Sequence, residues 1–184
     1  MMKNIADLLF EAKILKFVPR AGFHFLGAGR ETVAEHSFST TFIAFVMSKL
    51  QPEVDALKLI SMCLIHDLAE ARTGDHNYVH KRYVSVDEKQ AVLDATKGID
   101  FGDSVVDLLM EFKSQDTRES LLAHDADQLA FILDLKSISD TGHSAPDEWI
   151  PVVIKRLKTE IGRKIAAGIM KTKWDAWWMD DYKE

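Results

Sequence analysis

Apolar residues recur at intervals of three and four through most of this chain, and no run of five or more alternates apolar with polar residues. That period is the helical one, and a chain with no competing strand pattern is restricted to helices packed on helices. Residues 4–16 carry Ile5, Leu8, Leu9, Ala12 and Leu15 behind Asn4, a predicted N-cap. "VPRAGFHFLGAG" then interrupts the pattern with one proline and three glycines. Thr32 and Glu35 stand at capping-box spacing and predict a helix over about 33–49, with His36 in its first turn. After Pro52 a third predicted helix runs to about Ala71, with Leu57, Ile60, Leu64 and Leu68 on one stripe. Ser85 and Glu88 repeat the capping-box spacing ahead of a helix that ends near Gly98, and "DSVVDLLMEFK" follows as a shorter one. Asp116 leads into a long helix through about Asp140, Pro146 begins another, and 151–170 is helical by pattern. The expected fold is all-α, a compact helical bundle forming a single domain over 1–184, with no repeat and no linker.

Composition narrows the function classes. A formal charge of −6 argues against a broad nucleic-acid surface, which needs clustered Lys and Arg, but allows a small anion held by a local positive group. A single cysteine, Cys63, sits in the apolar run "ISMCLI"; it fits a reducing compartment, and its expected role is core filling. No uninterrupted apolar run approaches ~18 residues, and the N-terminal stretch carries acidic residues within its apolar pattern, so the reading is cytoplasmic, with no membrane partner.

The chemistry concentrates in "LIHDLAEARTGDH", residues 64–76. On a regular helix His66 and Glu70 lie about 40° apart on successive turns, and Asp67 and Glu70 form an i, i+3 pair, so these side chains can converge. Taken singly they have plainer readings: a satisfied core histidine, the solvated edge of an amphipathic helix, and Asp75 as a turn residue. Two further features shift the balance. A second histidine, His36, opens a helix among apolar neighbours, and "AHDADQLAFI" puts Asp125 and Asp127 inside a strongly apolar helix. A carboxylate buried without a partner costs several kcal/mol, so its presence calls for a cation or for hydrogen-bond donors. Two imidazoles and two carboxylates from three helices make a mixed nitrogen and oxygen site suited to one divalent ion: manganese, iron, cobalt, zinc or magnesium.

The order of a lone His36, the adjacent pair His66–Asp67 and a distant Asp127 resembles the HD-domain metal-dependent phosphohydrolase superfamily. "PRAGF", "ETVAEHS", "IHDLAEARTGD" and "ADQLAFI" follow in the order and approximate spacing of its YfbR-like 5'-deoxynucleotidase branch, over roughly residues 5–140. The resemblance implies His36, His66, Asp67 and Asp127 as the metal ligands. Periodicity alone points elsewhere for the last of these: with Leu122, Ala126, Leu129 and Leu133 as the apolar stripe, amphipathicity favours Asp125 and the resemblance favours Asp127.

A bound divalent ion can acidify a coordinated water and polarise a phosphoryl oxygen, which suits a phosphate monoester substrate. The resemblance implies removal of the 5'-phosphate from (deoxy)nucleoside monophosphates. Glu70 would handle the water's proton, Arg20 would clamp the phosphate with its planar fork, Asp75 would contact substrate or orient a ligand, and Lys81 would contact substrate. The same resemblance implies a homodimer. Two other readings stay open: a nucleotide diphosphate or cyclic diester as substrate, or a helical scaffold around a structural metal. The sequence departs from the branch at Ala21, where an aromatic residue usually follows the arginine, and at "HNYVHKRY", which adds His76 and His80 where a Pro-rich segment is usual. The tail "WDAWWMDDY" holds Trp174, Trp177 and Trp178, and helices over about 146–180 are expected to dock on the bundle or on a second subunit.

Overall fold

In a computed structural model, residues 1–182 are described. The helices in chain order are α1 (Met2–Ile14), α2 (Val33–Leu50), α3 (Ala56–Ile65), α4 (Glu70–Thr73), α5 (Glu88–Ala95), α6 (Gly102–Ser114), α7 (Arg118–Asp140), α8 (Ala145–Ile154), α9 (Glu160–Lys171) and α10 (Ala176–Tyr182). Among the described residues there is no strand, only an isolated antiparallel bridge between Pro19 and Thr32. The fold is all-α, as the periodicity predicts.

Helix α7 is the central post, packed against α2, α3, α6, α8 and α9. Its Leu122, Ala126, Leu129, Ile132 and Leu135 are fully or almost fully buried, together with Met47 of α2 and Leu59, Met62 and Cys63 of α3. Each such large side chain contributes about 1.5–3 kcal/mol on leaving water, which makes this the cluster that holds the fold. A smaller cluster of Ala91, Val92, Val106 and Leu109 joins α5 to α6 beside the turn at Ala69.

Several elements differ from the expectation for local reasons. The Thr32–Glu35 capping box forms as predicted. Asn4 caps nothing; it lies inside α1, and its amide donates to the carbonyls of Lys97 and Gly98. The cap of α5 is Asp87, which accepts from Gln90 N–H at 2.9 Å, rather than Ser85, and α7 is capped by Thr117 in a box with Ser120 rather than by Asp116. The predicted stripe of the third helix is only half covered: Ile60 packs on the core and Leu68 is buried, but Leu57 and Leu64 are 77% and 59% exposed, and the fully buried residues of α3 are Leu59, Met62 and Cys63. Leu133 likewise faces outward from α7. A helix that is apolar all round offers two stripes, and only its neighbours decide which is covered.

Two predicted helices are broken. The third ends at Ile65, and 66–69 wind more tightly, with Leu68, Glu70, Ala71 and Arg72 each donating to a carbonyl three residues back. The stretch 151–170 divides into α8 and α9, and the turn between them is held by Asp125, which accepts from the N–H groups of Lys158 and Thr159 at 2.7 and 2.8 Å and from the Thr159 hydroxyl at 2.6 Å. Gly162 is required there, because a Cβ at that position would stand 2.3 Å from Asp125 Oδ2.

Candidate active site

The tight turn after α3 sets the geometry of the site. With about three residues per turn, successive side chains are some 120° apart, so Glu70 lies over Asp67 rather than over His66. Gly74, at φ +74°, then reverses the chain in a conformation that L side chains resist, and Asp75 turns back so that its Oδ2 accepts from Ala21 N–H at 2.7 Å. The 20–21 loop is anchored from its other side as well, where Arg20 N–H donates to Glu31 C=O at 2.9 Å across the Pro19–Thr32 bridge. Arg72 of α4 grips Glu11 of α1 through two nitrogens, one at 2.8 Å, which holds the Glu70 helix in place.

His36, on the first turn of α2, is fully buried and meets His66 with ring centroids 5.4 Å apart. Ligand atoms of His36, His66 and Asp67 all lie within 4.8 Å of one another. Asp127 of α7 lies outside that three-residue cluster but touches it through His36, with its Oδ1 2.9 Å from His36 Nε2. Two residues apart on a helix, Asp125 and Asp127 point about 160° apart. Asp125 faces the α8–α9 turn, and Asp127 faces the imidazoles. Arg20 Nη1 lies 3.4 Å from Asp67 Oδ2.

A test of whether these residues suit a cation comes from the unpaired atoms. His66 Nδ1 must carry its proton, since it donates to Cys63 C=O at 2.8 Å, which turns the Nε2 lone pair inward. That Nε2 is buried without a hydrogen-bond partner, although Asp67 Oδ2 is only 3.2 Å away. An imidazole lone pair facing a carboxylate at that distance is repulsive unless a proton or a cation lies between them. The donor set fits a divalent ion. Glu70 Oε2 is also buried and unpaired beside it.

The electrostatics express the same crowding. Burial alone would lower the proton affinity of His66, but Asp67 outweighs it and lifts the group to about 9. Burial alone would raise Asp67, yet His66, His36 and Arg20 hold it at about 2. Asp127 is held far below the ordinary carboxylate range, mainly by His36 acting against burial, while burial pushes His36 itself down. Glu70 goes the other way: burial first, then the negative charges of Asp67 and Asp75, push it up to about 9. Perturbations of opposite sign within one cleft are what acid–base chemistry uses.

These groups open into a cleft of about 370 Å³, where Arg20, His66, Asp67, Glu70, Asp75 and Asp127 form one end and Lys81 and His76 stand on the rim. His76 and His80 form an edge-to-face pair, and His80 is exposed. The other wall is formed by residues that local pattern did not single out: Phe112, Lys113, Phe131, Trp149 and Arg156. Glu31, also overlooked, lies 3.7 Å from both Arg20 Nε and His36 Nδ1.

The sequence profile of the HD domain family matches residues 12–169. The chain belongs to the HD domain family. A protein of Dictyostelium discoideum named 5'-deoxynucleotidase HDDC2 is 30% identical over 144 residues, covering 72% of this chain and 76% of its own length. A Danio rerio protein of the same name is 26% identical and covers 93% of this chain and 94% of its own. Among solved structures, a conserved hypothetical protein from Pyrococcus furiosus superposes with a TM-score of 0.73 at 26% identity, over 91% of this chain and 99% of that one. In this HD domain the adjacent His66–Asp67 pair therefore lies within the matched span, together with His36 and Asp127. The family match, the named relatives and the His-His-Asp cluster together support a hydrolase built around a metal site.

Proposed function

We propose that this HD domain is a divalent-metal-dependent phosphomonoesterase that removes the 5'-phosphate of (deoxy)nucleoside monophosphates. The observation that carries the reading is the convergence, in one cleft, of a buried cation-binding cluster with a guanidinium and a carboxyl of raised proton affinity. His36, His66, Asp67 and Asp127 would hold the ion, one of manganese, iron, cobalt, zinc or magnesium. A divalent cation at this place supplies Lewis acidity, neutralising phosphoryl charge and making water a better nucleophile near pH 7.

The chain's own residues supply the rest. Arg20 offers a planar fork to the phosphate from a loop tied down by Asp75 and by the Glu31 carbonyl. Without an ion, burial and the charges of Asp67 and Asp75 keep Glu70 protonated; a bound cation would offset those charges and leave the carboxylate, one turn from the cluster, free to take the proton that an attacking water must lose. Asp75 acts by holding the arginine loop from below, and Lys81, exposed at the rim, meets the incoming anion. The names of the relatives support the nucleotide as substrate. The same reading includes a cytoplasmic homodimer.

The test is release of inorganic phosphate from dAMP with Mn²⁺ or Co²⁺, extended to a panel of 5'- and 3'-monophosphates of both sugars. Glu70→Ala should lower turnover by about 10²-fold or more while bound metal persists. A saturated ion with no turnover across the panel would favour a structural metal, and preference for 3'-esters or cyclic diesters would reassign the substrate.

A further inference from the structure

The polar end of the cleft uses only part of its wall. From Asp127, α7 continues along the cleft through Gln128 to Phe131 one turn later, and Phe131 meets Trp149 of α8 edge to face with centroids 6.0 Å apart. Past Trp149 the cleft runs on into a more apolar recess of about 600 Å³, and Phe25, Tyr78, Trp149 and Arg156 line both spaces. Phe25 and Tyr78 are 48% and 70% exposed, so aromatic faces stand uncovered beside a site built for a polar reactant.

We propose that this aromatic wall is the leaving-group subsite, where a planar heteroaromatic ring, the base of a nucleotide, stacks while its 5'-phosphate lies at the Arg20 end. The inference rests on the phosphohydrolase reading above and says which part of the substrate the cleft selects. Cβ atoms at i and i+4 on a helix are about 5–6 Å apart, so the Phe131 side chain follows Asp127 one turn along the cleft wall, and the Trp149 ring centroid lies 6.0 Å from that of Phe131. Phosphate and base of a mononucleotide are likewise separated by one sugar, and the cleft that holds Arg20 at one end has Phe131 and Trp149 in its wall. A sugar phosphate would leave the wall wet. An acyl chain would meet Arg156 and Glu148, which border the recess. Stacking on aromatic side chains is tolerant of base identity, because every base has a π-face, so the wall selects for the presence of a base more than for its kind.

The experiment compares kcat/KM for dAMP with that for 2-deoxyribose 5-phosphate, which keeps phosphate and sugar and lacks the base, using enzyme loaded with Mn²⁺. The wild type should favour dAMP by roughly 10-fold or more, and Trp149→Ala should collapse that ratio. Trp149→Phe, which keeps a stacking face, should retain most of it. Phe25→Ala tests the same wall at a largely exposed position should Trp149→Ala fold poorly, and it should reduce the ratio too. A wild-type ratio near one overturns the proposal, as does a ratio unchanged in the Trp149 and Phe25 variants. A loss confined to Arg156→Ala also overturns it, since the far end of the substrate would then be an anion. Wild-type protein with bound Mn²⁺ that hydrolyses neither compound rejects the phosphohydrolase reading itself, and the subsite with it.

Discussion

Burial and the charges of Asp67 and Asp75 hold the Glu70 carboxyl near 9, against an ordinary 4.5. Between those values the folded protein keeps a proton that the unfolded chain has released, so stability falls as pH rises through that window. Protein stripped of metal by chelation should lose thermal stability from about pH 5 to pH 9. Glu70→Gln should flatten that profile and raise Tm at pH 8 by about 2–4 °C, the equivalent of ~1 kcal/mol in a domain this size. An unchanged slope in the variant would show that Glu70 is not the group responsible. Glu31 makes a second prediction at this scale. A histidine that gives Nε2 to a cation carries its proton on Nδ1, and for His36 that atom is buried with Glu31 Oε2 3.7 Å away. Titration of Glu31→Ala with Mn²⁺ should give about 10–100-fold weaker binding, and equal affinity would remove Glu31 from the site.

At the scale of elements, the α8–α9 turn depends on one carboxylate. Asp125, itself fully buried, accepts from two backbone N–H groups of the turn, and its loss would leave them without that partner. Asp125→Ala should cost about 2–4 kcal/mol, lowering Tm by about 5–15 °C, and Gly162→Ala should destabilise as well because its methyl group would collide with Asp125. The informative contrast is with Asp127→Ala, which should abolish Mn²⁺ binding, whereas folded Asp125→Ala should keep it. The same change in metal affinity from both substitutions would mean that Asp125 also serves the site. Much of this level was legible in the chain: the Thr32 capping box and the long α7 follow from local chemistry, which acts over three or four residues. The tight winding of 66–69 was not, because it arises where the polar residues of this turn meet partners on α2 and α7.

For the whole molecule, the unexplained surface is apolar. Phe38, Phe42 and Phe45 run along α2 with ring centroids 6.3 and 6.1 Å apart, and they are 72%, 57% and 44% exposed. A ridge of this kind suits a subunit contact, so Phe42→Glu should convert a homodimer to a monomer in sedimentation; a monomeric wild type would retire the dimer. The tail is only half accounted for by the bundle: Trp174 N–H donates to Asp140 at 3.0 Å, while Trp177 remains 78% exposed. Among the described residues no helix is long and apolar enough to cross a membrane.

Local periodicity, caps and breaks were enough to determine that this chain is helical and roughly where each helix lies, because those signals depend on neighbours a few residues away. The presence of His36, His66, Asp67 and two candidate aspartates was equally plain. Tertiary structure alone decided which face of α3 is covered and that Phe131 and Trp149 share a cleft with Arg20; between Asp125 and Asp127 periodicity pointed to the wrong residue, and the family resemblance named the one that meets His36. Each of those outcomes depends on how helices distant in sequence are oriented against one another, and a side chain's direction has no meaning until its neighbours are in place.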